Sequence, residues 1–139
     1  MTEAPLDVAR RGYERWAVGD FDGMLELATP DFEFVPAIAA AVEGGSIKGR
    51  DAARRFWADL GETWETFRIS ADDLREAGGR VMGIGRLTAK GRSSELELDQ
   101  PIYTVLWFRG ERIARMQSFL EEPAARAAFE ENEAAWRDS

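Results

Sequence analysis

The chain has 139 residues, of which 45% are hydrophobic and 32% are charged, and its formal net charge is −8. This length favours a single domain over residues 1–139, and the acidic balance argues against nucleic acid or an anionic membrane surface as a partner. Because the chain contains neither cysteine nor histidine, disulfides, thiolate metal sites and mechanisms that use a histidine base are excluded.

The N-terminal part of the chain is predicted to form two helices and a strand. Apolar residues recur at helical spacing over 6–17, and Gly19 ends this helix. Asp20 is expected to cap a second helix over 21–28. The stretch 31–34 then alternates as a strand, with its two phenylalanines on one face.

The sequence also bears on where the protein is located. Its N-terminal stretch is amphipathic and partly acidic and has no apolar core, so we expect no signal peptide. The longest apolar run, around "PAIAAAV", is far shorter than the ~20 residues that cross a bilayer. We therefore expect a cytoplasmic protein without a membrane partner.

A third helix is predicted near the middle of the chain. It follows the segment 37–48, which is predicted to be a loop with a short strand at its end. Asp51 is a suitable N-cap for this helix. Its apolar face is expected to include Phe56, Trp57 and Trp64.

The second half of the chain has the periodicity of strands. Glycine-containing turns separate these strands, as in hairpins, and Pro123 suits the first turn of a closing helix. The order of elements predicts an α+β fold with helices on one face of a curved antiparallel sheet. The four predicted strands cover 66–77, 80–90, 95–109 and 112–122.

Both faces of the strand over 95–109 are largely apolar. Ile102 and Leu106 point to one face, whereas Val105 and Trp107 point to the other. Neither face is suited to water, so one should pack on the helices and the other needs a cover. Either the C-terminal helix or a second subunit can supply it, and we expect a homodimer through the sheet.

The predicted strand over 80–90 places Gly83 and Gly85 on the same face, where each costs about 0.5–1 kcal/mol relative to alanine. One interpretation is that the missing side chains leave a void beneath Trp16 and Trp57, which would form an apolar ligand pocket. The other is that the glycines allow a close approach of another segment or mark a β-bulge. The residues alone leave both interpretations open.

Three stretches of the sequence resemble a known family. They are "YERWAVGDFDGMLELATPDFEF", "IKGRDAARRFWADLGETWETFRI" and "GRSSELELDQPIYTVLWFRGERIARMQSFLEEPAARAA". Their order and spacing are similar to those of the SnoaL-like branch of the nuclear transport factor 2-like superfamily. The resemblance implies a cystatin-like cone, in which a curved sheet wraps around the N-terminal helices and encloses a deep pocket, often in a dimer. It therefore favours the pocket interpretation of the two glycines.

The superfamily includes steroid isomerases, polyketide cyclases, limonene epoxide hydrolases and dehydratases, so the resemblance does not fix an activity. By alignment, the isomerase's phenol donor falls at Gly12, its carboxylate base at Pro36 and its second oxyanion donor at Thr104. The acid of the cyclases falls near Ser118. None of these side chains can perform the corresponding step, which argues against both mechanisms.

The epoxide hydrolases of the superfamily use an Asp-Arg-Asp set inside the cone. The nearest residues here are Asp99 and Arg86, but strand alternation turns both away from the pocket. A bulge at Pro101 would reverse the orientation of Asp99, so this alternative stays open. Tyr13 lies one position from the isomerase's donor and is expected to direct its hydroxyl at a ligand or to close the mouth of the cone.

We therefore predict a binding domain with an apolar internal pocket for a small organic molecule and no cofactor or metal. The alternatives are an enzyme that uses Tyr13, Thr104, Ser118 or Asp99 on an uncharged polyketide-, terpenoid- or steroid-like substrate, and a dimerisation module with a vestigial cavity. The predicted pocket residues are Tyr13, Trp16, Phe34, Phe56, Trp57, Gly83, Gly85, Leu87, Ile102, Thr104, Leu106, Met116, Ser118 and Leu120.

Overall fold

A computed structural model describes residues 4–37, 45–93 and 95–130 of the chain. Most of the loop predicted over 37–48 lies outside these residues, although its predicted terminal strand is present. The helices are α1 (Pro5–Ala17), α2 (Phe21–Leu25), α3 (Arg50–Thr63) and α4 (Glu122–Glu130). The strands are β1 (Ala28–Val35), β2 (Ile47–Lys48), β3 (Trp64–Ile69), β4 (Asp73–Ala77), β5 (Arg80–Gly91), β6 (Glu97–Arg109) and β7 (Arg112–Phe119).

The N-terminal helices form largely as their sequence predicts. Gly19, with a φ of +78°, follows the end of α1, and the Asp20 carboxylate accepts a hydrogen bond of 2.9 Å from the Gly23 amide at the start of α2. The second helix is shorter than predicted, because Ala28 lies in β1 and pairs with Ile113 of β7. Sheet pairing thus overrides the helical spacing at this point.

The ends of α3 also differ from prediction. Gly49 occupies the N-cap position with a φ of +93°, and Asp51 instead accepts a 3.0 Å hydrogen bond from Arg54 in the first turn. At the other end, Trp64 is the first residue of β3 and pairs with Gly91. The helix therefore ends one residue before Trp64, which does not belong to its apolar face.

The strands form a single sheet in the order β2-β1-β7-β6-β5-β3, in which β4 also pairs with β5. The β1–β7 pair is parallel, and the other pairs are antiparallel. The sheet curves around the three N-terminal helices, whose apolar side chains pack on its concave face. The predicted α+β cone with a closing C-terminal helix is therefore confirmed.

The strand predicted over 66–77 is interrupted by a bulge. Ile69 pairs with Leu87 and Asp73 pairs with Ile84, so one strand advances four residues while β5 advances three. The extra residue leaves β3 and β4 as separate strands on the same edge of β5. Because a bulge bends the strand that carries it, this irregularity contributes to the curvature of the sheet.

The convex face of the sheet is covered by α4. Met82, Val105 and Trp107 are at most 1% exposed, and they form a second core with Ala125 of this helix. The Arg80 side chain donates to the carbonyl of Phe129 and lies over its ring. The sequence allowed either this helix or a second subunit to cover the convex face, and α4 covers part of it. The homodimer stays a prediction.

Within the described ranges, no helix is long and apolar enough to cross a membrane.

Candidate functional site

The concave face carries a row of positions that crosses three strands. Gly83 of β5 pairs with Thr104 of β6, and Thr104 pairs with Ser118 of β7. The two hydroxyl side chains are 1% and 5% exposed, respectively, among apolar neighbours. Strand alternation in the sequence correctly placed all three residues on the inner face.

Tyr13 of α1 lies directly over this row. A Cβ atom at Gly83 would be 2.4 Å from Tyr13 Oη, so the phenol group occupies the space that a side chain at this position would take. Glycine allows this close approach, and a larger residue here would require the end of the Tyr13 side chain to shift.

The buried position of Tyr13 changes its acidity. Burial raises the pKa of Tyr13 to about 12, although a hydrogen-bonding interaction with the neighbouring Thr104 hydroxyl offsets part of the rise. The side chain is therefore a neutral phenol near pH 7. In that form it can donate a hydrogen bond to a guest, but it cannot serve as a base.

Two hydroxyl oxygens at this site lack a hydrogen-bond partner of good geometry. Tyr13 Oη and Ser118 Oγ are buried and make no such bond to any other residue that the structure describes. Leaving a buried polar group without a partner costs about 1–3 kcal/mol. A molecule that pairs with these hydroxyls would recover part of that cost.

Tyr13 is one of the residues that line a small internal cavity of about 10 Å³, whose exposed lining atoms are apolar. A space of this size holds about one water molecule. Its lining includes four of the predicted pocket residues. The signals for the other five were the apolar stripes of α1 and α2 and burial in the sheet. The lining residues are Ala9, Gly12, Tyr13, Trp16, Met24, Ile69, Leu106, Ile113 and Met116.

The predicted void beneath Trp16 and Trp57 is not present at the two glycines. Tyr13 fills the space above Gly83, and a Cβ atom at Gly85 would be only 1.7 Å from the carbonyl oxygen of Ser70. The second glycine lies opposite the bulge between β3 and β4, as the alternative interpretation proposed. The pocket interpretation is therefore wrong for both glycines in this conformation.

Most other predicted pocket residues are part of the core. Phe34 packs against Phe56 and Trp57, with ring centroids 5.8 Å and 5.6 Å away. Leu87 and Ile102 are buried on the concave face and belong to the same cluster. Leu120, in contrast, lies beyond the end of β7 and is 39% exposed, because the strand ends at Phe119. Its assignment to the pocket is wrong.

The residues considered for an epoxide hydrolase mechanism lie outside the cone. Arg86 Nε donates to Asp99 Oδ1 at 2.8 Å, and the two side chains are 50% and 67% exposed. Arg86 pairs with Pro101 in an unbroken register, so no bulge reverses the orientation of Asp99. This alternative is therefore wrong for these two residues.

The charged groups elsewhere do not form a metal site in the part of the chain that the structure describes. No set of three or more Asp or Glu side chains there is arranged to hold an ion. Among the residues that line the internal cavity, Tyr13 is the ionisable one.

Sequence comparison relates the chain to a family of domains. The sequence model of the SnoaL-like domain matches residues 9–116. Uncharacterized proteins of Mycobacterium tuberculosis (Rv0034) and Mycobacterium bovis (Mb0035) are each 31% identical over 130 residues, which span 91% of this chain and 96% of the relative.

Solved structures share the fold at lower sequence identity. An NTF2-like protein of unknown function from Burkholderia pseudomallei has a TM-score of 0.75 at 17% identity, covering 91% of this chain and 98% of its own. TerC, co-crystallized with polyporic acid, has a TM-score of 0.74 at 19% identity, covering 92% and 100%. A putative SnoaL-like polyketide cyclase from Shewanella denitrificans has a TM-score of 0.70 at 14% identity, covering 90% and 95%.

Proposed function

The chain belongs to the SnoaL-like domain family, and on that premise we propose that it binds a small uncharged organic molecule inside its cone. The observation that carries the proposal is the pair of buried hydroxyls, Tyr13 Oη and Ser118 Oγ, which make no hydrogen bond of good geometry to another described residue. An apolar interior with a few converging polar groups is typical of small-molecule sites. TerC, a structural neighbour, was crystallised with an organic molecule, which supports a binding role for the fold.

The proposal requires Tyr13 to move, because the internal cavity of about 10 Å³ is too small for an organic guest. Tyr13 also lines a groove of about 430 Å³ on the outer side of α1, together with Arg10, Asp72 and Leu74. A displacement of the phenol ring towards this outer groove, with its hydroxyl still bordering the space above Gly83, would free the volume of one six-membered ring. The guest that fits is therefore a single ring with one carbonyl or hydroxyl oxygen.

The interior favours an uncharged guest. The residues that line the internal cavity carry no charged side chain, and the transfer of an unpaired ion into such surroundings is costly. The Tyr13 hydroxyl is protonated at neutral pH, and its raised pKa extends this state to higher pH, so it can donate to a carbonyl oxygen. Thr104 and Ser118 offer further hydroxyls on the adjacent strands.

An enzyme is the second candidate function, and one observation favours it. A buried, protonated phenol can stabilise an oxyanion that develops on a bound carbonyl, as in cyclase- or isomerase-type reactions. Tyr13 is in that state at neutral pH. Of the polyketide-, terpenoid- and steroid-like compounds predicted from the sequence, the substrate would then be a single-ring one, because a steroid-like compound exceeds the volume that Tyr13 can free. Turnover in addition to binding would distinguish the enzyme from a binding protein.

Binding can be tested with two probes of similar size, cyclohexanone and methylcyclohexane, of which only the first carries an oxygen. We expect cyclohexanone to raise the melting temperature more than methylcyclohexane does, because binding to the native state stabilises it. In Ser118→Ala, titration calorimetry should show about fivefold weaker binding of cyclohexanone, which corresponds to one hydrogen bond.

Tyr103→Phe is the matched control for Tyr13→Phe, because Tyr103 packs on the convex face. The control should bind cyclohexanone as the native protein does, whereas Tyr13→Phe should bind it more weakly. Equal stabilisation by the two probes, or no effect of either hydroxyl removal, would contradict the proposal.

A further inference from the structure

A second hollow lies where α1, α3 and β3 meet, separate from the internal cavity. We call it the aromatic groove; its volume is about 320 Å³. Five aromatic side chains form a continuous arc along it, in which neighbouring ring centroids are 5.6–6.4 Å apart. These residues are Phe21, Trp57, Trp16, Phe67 and Trp64.

The size and lining of the aromatic groove match those of a small-molecule site. Small-molecule pockets typically have volumes of about 300–1,000 Å³ and are lined by apolar and aromatic side chains. The indole N–H groups of Trp16 and Trp57 are buried without a hydrogen-bond partner among the described residues. Phe21, Trp64 and Phe67 are half-buried and supply the ring surface for stacking, whereas Trp16 and Trp57 are largely buried behind them.

The charges along the groove are positive, although the chain as a whole is acidic. Arg68 and Arg92 both line it, and the described residues contain no hydrogen bond or ion pair of the Arg68 side chain. Glu65 also lines the groove, but its carboxylate pairs with Lys90 at 3.6 Å. The groove is therefore lined by two arginines and by one glutamate whose negative charge is offset by Lys90.

The position of Arg92 is fixed by the end of α3. Its Nε and Nη2 atoms donate to the carbonyl oxygen of Gly61 at 3.1 Å and 2.9 Å. A guanidinium has five N–H donors, and the Nη1 group makes no hydrogen bond to another described residue, so it can bind a planar oxygen acceptor. A guanidinium held in this way loses little conformational entropy when it binds an anion.

We propose that the aromatic groove binds a flat aromatic carboxylate. Its rings lie against the aromatic arc, and its carboxylate accepts hydrogen bonds from both Arg92 and Arg68. The site is distinct from the interior hydroxyl row and takes a charged ligand, so it does not rest on the function proposed above. Trp16, which lines both hollows, forms the wall between them.

The test uses three probes that share one ring system and differ in charge: 2-naphthoate, 2-naphthylmethanol and 2-naphthylmethylammonium. Binding is measured by calorimetry and by the ¹H–¹⁵N signals of the indole groups. We expect 2-naphthoate to bind about tenfold more tightly than the alcohol, and its affinity to fall with added salt. The indole signals of Trp16, Trp57 and Trp64 should shift, whereas that of Trp107 should not.

Two charge variants separate a specific contact from general attraction. Arg68→Gln should weaken the binding of 2-naphthoate about threefold to tenfold and leave the alcohol unchanged. Arg75→Gln, the matched control, removes an exposed arginine of β4 outside the groove and should change neither affinity. Ser118→Ala should leave 2-naphthoate unaffected, which distinguishes this site from the interior one.

Trp64→Leu tests the aromatic arc itself. It should weaken the binding of both 2-naphthoate and 2-naphthylmethanol. Three results would overturn the proposal: the alcohol or the ammonium binds as tightly as 2-naphthoate, Arg75→Gln weakens binding as much as Arg68→Gln does, or the indole signals that shift lie outside the groove. The first result would assign the groove to a neutral or cationic aromatic molecule instead.

Discussion

Gly83 and Gly85 lie two residues apart on one face of β5, but they accommodate different neighbours. The first admits the end of the Tyr13 side chain, and the second admits the backbone of Ser70 at a bulge. A side chain can rotate away, whereas a backbone held by strand pairing cannot move without disturbing its ladder. The two positions should therefore differ in their tolerance of substitution.

Gly85→Ala should lower the free energy of unfolding by about 2–4 kcal/mol, because the new methyl group would overlap the Ser70 carbonyl. Urea denaturation followed by tryptophan fluorescence measures the change. The matched control is Gly61→Ala in α3, where a Cβ atom meets no neighbour within 4 Å. This substitution should be neutral or stabilising by about 0.5 kcal/mol, since alanine favours the helix. Equal effects at the two positions would contradict the bulge as the reason for Gly85.

Tyr13 should make stability depend on pH in the alkaline range. Its pKa is about 12 in the folded chain, above the ordinary value of 10.0, so the buried phenol favours the neutral form. The contribution of the neutral, buried phenol to the free energy of unfolding is fully present below about pH 10. It is lost as the pH rises towards 12, and the total loss is about 3 kcal/mol.

The measurement for Tyr13 is the difference in unfolding free energy between the native protein and Tyr13→Phe from pH 9 to 12. The free energy of unfolding of the native protein should fall relative to that of Tyr13→Phe as the pH rises. Only the native protein has a phenol at position 13, which ionises more readily in the unfolded chain than when it is buried. Tyr103→Phe, which removes the other tyrosine hydroxyl of the chain, serves as the control. A constant difference for Tyr13→Phe would show that the phenol is not buried.

Among the elements, the strands on either side of the bulge show what a single sequence can and cannot predict. Alternation correctly assigned the inner faces of β5, β6 and β7, since successive side chains of a strand point to opposite faces even where both faces are buried, as in β6. The bulge has no such signal, because Ser70 and Ala71 continue a pattern compatible with one long strand. It depends on the close approach of Ser70 to Gly85, which is distant in the sequence.

The closing helix α4 should be essential to the convex face of the sheet. Ala125→Asp places a carboxylate where the side chain is 0% exposed and contacts the core that contains Met82 and Trp107. We expect it to lower the free energy of unfolding by about 3 kcal/mol or more. The control Ala127→Asp lies on the exposed side of the same helix and should change it by less than about 0.5 kcal/mol. Chemical denaturation compares them, and similar losses would show that α4 does not cover the sheet.

For the molecule as a whole, the sequence predicted the fold better than the site. The period of each element and the family resemblance were sufficient for the α+β cone. The interior was harder, because a glycine leaves the same pattern whether its space is empty or filled by Tyr13. Whether Tyr13 takes that space depends on how α1 packs on the sheet. That packing is determined by contacts between residues that are far apart in the sequence.

The homodimer through the sheet is a property of the whole molecule and remains a prediction. The convex face still includes half-buried Tyr103 and Phe119 beside α4, which a second copy would cover. Sedimentation equilibrium should give twice the mass of one chain. The mass of a single chain at all protein concentrations would contradict the dimer, and Ala127→Asp tests whether α4 takes part in it.

The most direct test of a guest inside the cone is an intermolecular nuclear Overhauser measurement with cyclohexanone and methyl-labelled protein. Thr104, Leu106 and Met116 carry methyl groups on the concave face, whereas Leu74 lies in the outer groove. Interior binding predicts contacts from the ring protons of cyclohexanone to the methyl groups of Thr104, Leu106 and Met116. Contacts to Leu74 alone, or none at saturating cyclohexanone, would contradict it.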